Sequence, residues 1–365
     1  MNKSQILIIS PEPWSGHFVS KHHYALTLGS QGREVYFLNP PINSLKEVQI
    51  QKTEYLNVWE VSAPQIAKGL RFYPKFLRNL LEKRWLDKLE EKIGESFTTV
   101  WLFENSRFYD MNFAGEKTKI YHQMDSNQSF HPRVASASAD ISFCVTDYIR
   151  KDLLATSDKV FKISHGIHFF HDTISLTNEE QNRFSHDGIH VVYVGNLDMN
   201  YIDENLVYEM VSKYPNIDFH FIGNYSEKGT VYTLCKDMPN IVWWGSVPST
   251  HIPMILNYAD ISLLVYRSKQ YKEQLANSHK LLEYLASGKV TVATYTDEYK
   301  DKRELLEMVD DASKVVEKFS EVVNDLEYYN SKEKQQMRIN FAKENSYEKQ
   351  LKKIVGYLKQ YNLKL

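Results

Sequence analysis

Short apolar runs alternate with helix-patterned segments along most of this 365-residue chain, and that alternation restricts its fold more than any other feature. The first series of expected strands is Ile6–Ser10, Val35–Leu38, Val100–Phe103, Ile120–His122, Ile141–Val145 and Val160–Ile163. Val19–Gly29, with apolar residues at helical spacing, lies between the first two. A second series follows at Ile189–Val194, Phe219–Ile222, Ile241–Trp244, Ile261–Tyr266 and Val290–Thr294. Strands alternating with helices build parallel sheets covered on both faces. Two series therefore predict two Rossmann-like, doubly wound α/β domains, residues 1–168 and 185–344, and the length gives each a core of its own. Phe169–Gly188, rich in polar residues that include His171 and Asp172, reads as the linker. Beyond Asp301 the chain is charged and helix-patterned, with a last helix over about Tyr347–Tyr361.

Several functional classes are disfavoured at once. A net charge of −2 gives no global reason to bind nucleic acid. Cys144 and Cys235 lie too far apart for a metal signature or a disulfide framework, and suit small buried residues in a reducing cytoplasm. The apolar run near the N-terminus is too short for a signal peptide, and no stretch approaches the ~20 apolar residues of a membrane-spanning helix. The 24 tyrosines and 18 phenylalanines suit cores and sugar-facing surfaces alike.

The most informative segment is Asn277–Thr294. Leu281, Leu282 and Leu285 mark one helical face, Gly288 a left-handed stop, and Val290, Val292 and Ala293 a buried strand. Asn277, Ser278, His279, Lys280 and Glu283 crowd the helix start, where unpaired N–H groups and the dipole favour a phosphate. Lys280 and Glu283, three residues apart, share a side, so one ligand could meet a cation at its phosphate and a carboxylate at its ribose. A Lys–Glu pair on a solvated helix face is the plainer alternative. Ligands of open α/β sheets bind beyond the carboxyl ends of the strands. After the first strand, Trp14 could stack on a sugar, Gly16 allows close backbone approach, and His17 follows; an ordinary turn fits equally. No Gly-x-Gly-x-x-Gly occurs.

The segment ending Glu283-Tyr284-Leu285-Ala286-Ser287-Gly288-Lys289 resembles the nucleotide-sugar segment of GT-B glycosyltransferases, in which two such domains face a central cleft. The likeness is to the xanthan-type bacterial exopolysaccharide glucuronosyltransferases and, more distantly, to glycosyltransferase family 4. The resemblance implies that Lys280 and Glu283 hold the donor nucleotide, and that the last helix, 345–365, packs back on the first domain. It implies that Asp125, after the Ile120–His122 strand, is the general base; a helix-capping Asp is the alternative. His165-Gly166 matches a GT-B hinge loop, although His168 replaces that loop's Asp. Gly195-Asn196-Leu197 resembles the uncharged xanthan-type loop and lacks the Arg and Lys usual in family 4. Ser246 falls in the loop that meets the nucleobase, and Tyr266 matches a tyrosine near the donor. Arg267 and Lys269 could add phosphate charge, or belong to a solvated loop. His165, His168 and His171 do not form a recognised metal pattern, and the class needs no bound metal or cofactor.

Residues 65–84 interleave Lys68, Arg71, Lys75, Arg78, Lys83 and Arg84 with Leu70, Phe72, Tyr73, Phe76, Leu77, Leu80 and Leu81. Cations mixed with large apolar groups suit an anionic membrane surface; helices packed on the first domain would also explain them. The expected protein is a transferase that moves a sugar from a nucleoside diphosphate, UDP by preference and with glucuronate as one candidate sugar. Its acceptor is expected to be a glycan or lipid-linked oligosaccharide in bacterial surface polysaccharide synthesis. The expected place is cytoplasmic, peripheral on the inner face of the membrane. An Asp base implies inversion, whereas Glu283 looks more like the retaining family 4. A non-catalytic glycan-binding subunit, or a nucleotide-sugar epimerase of the same fold, are the competing readings.

Overall fold

Gln5–Ile9 (β1) has every side chain buried, as a strand covered on both faces requires. It lies inside an eight-stranded sheet with Glu34–Leu38 (β2), Gln49–Lys52 (β3), Val58–Ser62 (β4), Thr99–Leu102 (β5), Thr118–Gln123 (β6), Ile141–Cys144 (β7) and Val160–Lys162 (β8), in the order β3-β4-β2-β1-β5-β6-β7-β8. Ile6 stands opposite Val35 on one side and Thr99 on the other. The structure is a computed structural model and describes residues 4–104, 106–126, 130–169, 175–275 and 277–365.

The sheet departs from the expected all-parallel series at one edge. β3 runs antiparallel to β4. Three of its four residues are exposed, and such polar edge strands carry little apolar signal. β4 buries only Val58 and Val61.

The chain forms two compact units, residues 1–166 with 347–365, and residues 167–346. In unit 1 the helix Tyr347–Gln360 lies against the helix Ser20–Ser30. Tyr347, Leu351, Ile354 and Leu358 are at most 1% exposed. The Tyr347 hydroxyl donates to Ser20 Oγ at 3.1 Å, and its ring stacks on His23 at 4.8 Å. This contact explains the glycine of the His165-Gly166 pair: a Cβ on Gly166 would lie 2.6 Å from the Tyr347 ring. Gly166→Ala should therefore destabilise the protein by about 1–3 kcal/mol, the usual cost of overpacking. Urea unfolding of unit 1 checks this, and an unchanged midpoint would refute it.

Unit 2 holds a six-stranded, wholly parallel sheet in the order β11-β10-β9-β12-β13-β14. Its strands are Ile189–Val194 (β9), Ile217–Ile222 (β10), Ile241–Gly245 (β11), Ile261–Leu264 (β12), Val290–Thr294 (β13) and Glu307–Val309 (β14), the last too short to stand out in the sequence. The expected linker is, where described, part of this unit. Leu176 is 5% exposed, and Phe184 stacks on His220 at 4.2 Å. Thr177 and Glu180 form a capping box on the short helix Asn178–Asn182. His171 and Asp172 lie outside the described residues. No helix among the described residues is long and apolar enough to cross a membrane.

Candidate functional site

The strand order of unit 2 reverses between β9 and β12, and a crevice at such a point is where open sheets bind ligands. β9 exits into Gly195, and β12 exits through Val265 into Tyr266. The helix His279–Ser287 begins at this end and stops at Gly288, whose φ of 78° is left-handed. Ser278 is its N-cap but makes no side-chain capping bond. The Lys280 ammonium donates to the Tyr266 hydroxyl at 2.9 Å and lies 5.5 and 5.6 Å from the ring centroids of Tyr193 and Tyr266. A Cβ on Gly195, whose φ is 148°, would stand 2.1 Å from the Lys280 nitrogen. Only glycine lets the backbone leaving β9 meet that ammonium. Burial pulls the Lys280 pKa down, but Tyr266, Tyr201 and Glu283 outweigh it and hold the pKa above its ordinary value. Glu283 is half-buried, 3.9 Å from His279 Nδ1. The Tyr284 hydroxyl accepts from the Val194 amide at 2.8 Å and fixes the end of β9.

Gly195, Tyr266, Lys280 and Glu283 thus gather with Asn277, Ser278 and His279 at one helix start. Other expected members do not join them. The Arg267 guanidinium pairs with Glu204 and donates to the Asn200 carbonyl at 2.9 Å, so its charge is already answered. Lys269 is exposed and lies 3.6 Å from Asp311. Leu197 is 3% exposed and belongs to the core. Asn196 turns its Oδ1 to the Asp198 amide at 2.9 Å. Ser246 is exposed beyond the edge strand β11, two strands from β9.

In unit 1 the order reverses between β1 and β5. Asp125 is exposed, two residues past β6, and its carbonyl accepts from Gln123 Nε2 at 3.1 Å. The first turn of the helix Ser20–Ser30 carries Lys21, 3% exposed and ion-paired with Glu12. Burial lowers the Lys21 pKa, while Glu12, Asp125 and Glu104 oppose that fall. Lys21 carries no signal in the sequence, because a lysine in a helix's first turn ordinarily faces water. Trp14 is 8% exposed and packs among Phe18, His22, Phe37 and Tyr55, which corrects its expected role as an open stacking platform. Gly16 and His17 are exposed, and the Gly16 amide donates to the Pro13 carbonyl at 3.2 Å. His165 is buried with Nδ1 3.5 Å from Ser20 Oγ, and its carbonyl accepts from Gln350 at 3.2 Å.

Among the described residues, His190, Asp218 and His220 bring potential metal ligands together. A chain of hydrogen bonds occupies their ring nitrogens instead. Trp244 Nε1–H donates to His220 Nδ1 at 3.1 Å, so His220 carries its proton on Nε2 and donates to His190 Nδ1 at 3.0 Å. His190 Nε2–H then donates to the His186 carbonyl at 3.0 Å. Trp244 fixes these tautomers, since its indole N–H can only donate. Burial, then His190, pushes the His220 pKa down to about 3, so the ring stays neutral.

The fold of this chain is that of GT-B glycosyltransferases. Trehalose-6-phosphate synthase OtsA matches 98% of it and 99% of that chain, with a TM-score of 0.73 at 11% identity. The E. coli enzyme bound with UDP-2-fluoro glucose gives 0.70 over 98% of this chain and 99% of that chain at 11% identity. WaaG, a glycosyltransferase involved in lipopolysaccharide biosynthesis, gives 0.62 over 96% and 99% at 11% identity. In sequence, the chain is 26% identical over 164 residues to TuaH of Bacillus subtilis, a protein assigned to teichuronic acid biosynthesis as a glycosyltransferase. That match spans 43% of this chain and 40% of the relative, less than two thirds of its length. No protein-family profile matches the chain.

Proposed function

We propose that this chain is a glycosyltransferase of bacterial surface polysaccharide synthesis, moving a sugar from a UDP-sugar to a glycan or lipid-linked acceptor. The observation that carries the reading is the approach of Lys280 to Gly195 at the sheet's reversal point, a cation and a bare backbone facing one spot. A diphosphate fits there, with Glu283 one turn on to take the ribose hydroxyls. The acceptor hydroxyl attacks the anomeric carbon, the bond to the diphosphate oxygen breaks, and the leaving diphosphate takes the electron pair toward Lys280. Attack from the face opposite the diphosphate inverts the carbon, and Asp125 is the proposed base for the hydroxyl proton. TuaH and the UDP-sugar held by a structural neighbour support this reading. The second reading is a retaining course, favoured by Glu283 and by a trehalose-6-phosphate synthase structure that concerns transfer with retention.

A thermal-shift panel of UDP-, ADP-, GDP- and dTDP-sugars tests the donor. Ligand at 100 times its Kd stabilises by about 2.7 kcal/mol, and no shift with any of them would sink the proposal. Turnover should survive EDTA, because the sequence has no Asp-x-Asp motif and Lys280 is the cation proposed to meet the diphosphate. Loss in EDTA restored by manganese or magnesium would refute that.

We assign the membrane contact to the exposed part of residues 65–84. Phe72, Phe76 and Leu80 are 77%, 75% and 43% exposed, beside exposed Lys68, Arg71, Lys83 and Arg84. Arg78 does not belong to this surface; it is buried at 4%. Each cation near an anionic surface contributes about 1 kcal/mol. Lys83 and Arg84 changed together to Glu should weaken the protein's hold on phosphatidylglycerol vesicles and spare turnover of a soluble acceptor. Unchanged co-sedimentation would exclude this surface.

A further inference from the structure

We propose that Arg267 and Glu204 are positioning residues for the donor cation: together they clamp the two loops whose tyrosines hold the Lys280 ammonium. The inference rests on the donor site proposed above and supplies what keeps that site in shape. β9 and β12 pair at Val191–Ile261 and Val192–Ser262. Past these pairs the two strands run on to Gly195 and Tyr266, so their exits need a tie of their own. The segments beyond provide it in the opposite sense. Ile202 and Tyr266 form an antiparallel bridge. The Asp203 amide donates to the Val265 carbonyl at 3.2 Å, and the Arg267 amide donates to the Tyr201 carbonyl at 2.8 Å.

One such bridge is marginal by itself, as an isolated two-stranded ribbon is in water. The Arg267 side chain reinforces it on both sides of Tyr201. Nη1 donates to the Asn200 carbonyl at 2.9 Å, and Nη2 pairs with the Glu204 carboxylate. Glu204 opens the helix Glu204–Lys213, where the dipole favours a carboxylate. The two side chains are 29% and 20% exposed, so water screens the pair only in part. A guanidinium suits the task, because its planar fork serves a carbonyl and a carboxylate at once. The clamped groups are the tyrosines. The Tyr201 ring meets the Tyr266 ring edge-on with centroids 5.0 Å apart, and the Tyr266 hydroxyl accepts from Lys280 at 2.9 Å. The buried Tyr266 is tied to β13 as well, through its amide, which donates to Thr294 Oγ1 at 3.0 Å. A shift of residues 200–204 therefore passes through Tyr201 and Tyr266 to the ammonium. Arg267 could turn to a phosphate only by giving up Glu204 and the Asn200 carbonyl.

Calorimetry on the full chain tests the clamp, with UDP and uridine as probes. Arg267→Met should weaken UDP binding about fivefold or more and leave uridine nearly unchanged. In a Lys280→Met background the same change should cost less than about twofold, because it acts through that lysine. Glu204→Gln, a milder change that keeps the size of the side chain, should weaken UDP in the same direction. If Arg267 were a direct phosphate ligand, Glu204→Gln would free it and tighten UDP, and the losses at Arg267 and Lys280 would add. Either result overturns the proposal, as would unchanged UDP affinity or equal losses of UDP and uridine in both variants. Labelling of Lys280 with acetic anhydride, read by mass spectrometry, needs no bound nucleotide. It should be faster in Arg267→Met and in Glu204→Gln than in the wild type. Faster labelling in a protein that binds no UDP sinks the donor site alone. Unchanged labelling sinks the clamp, whatever the UDP affinity.

Discussion

Asp125→Asn will slow sugar transfer by about 10²–10⁴, the usual worth of a positioned acid–base group, with UDP affinity almost unchanged. Asn keeps the size of the side chain but cannot take the acceptor's proton. The residue is exposed beyond β6, where a substrate hydroxyl can reach it, and the Gln123 side chain holds the backbone at that point. Lys21 remains ion-paired with Glu12 in the variant, so the surrounding charges stay in place. Single-turnover kinetics with donor and acceptor check the rate, and calorimetry checks UDP. Wild-type turnover would remove the base role and favour the retaining course, which needs no such base.

Lys280→Met will weaken UDP binding by about 1.5–3 kcal/mol, roughly 10- to 150-fold. Met keeps most of the length and loses the charge. Because the ammonium lies between Tyr266 and the Gly195 backbone, the loss falls on the diphosphate and not on the folding of the helix. UDP and uridine should therefore part company: UDP loses affinity, and uridine keeps nearly all of its own. Equal losses for both would mean a distorted pocket, and no loss would move the diphosphate elsewhere.

The strands that sequence alone revealed are the largely buried ones, such as β1, β9 and β13, where apolar residues predominate. β3 stayed hidden because an edge strand needs no apolar face, and β14 because three residues make no pattern. The helix that carries Lys280 and Glu283, and its stop at Gly288, were legible, since spacing on one helix settles which residues share a side. Arg267 misled because a cation in a loop looks free until its partner is known, and Glu204 comes from a distant segment. Trp14 misled for a related reason: an indole suits a sugar and a core equally, and four aromatic neighbours decide the matter.

The helix Tyr347–Gln360 completes unit 1, yet it leaves the ribosome only after all of unit 2. At ordinary rates of synthesis, unit 1 waits on the order of ten seconds or more with the groove for Tyr347 and Leu351 open to water. In the nascent chain, unit 2 can therefore reach its final packing before unit 1 does. During that interval the uncovered strip along the helix Ser20–Ser30 offers a chaperone its natural foothold. For the same reason, a truncated gene encoding residues 1–166 would yield a sticky fragment, whereas supplying residues 347–365 as a separate peptide should rescue it.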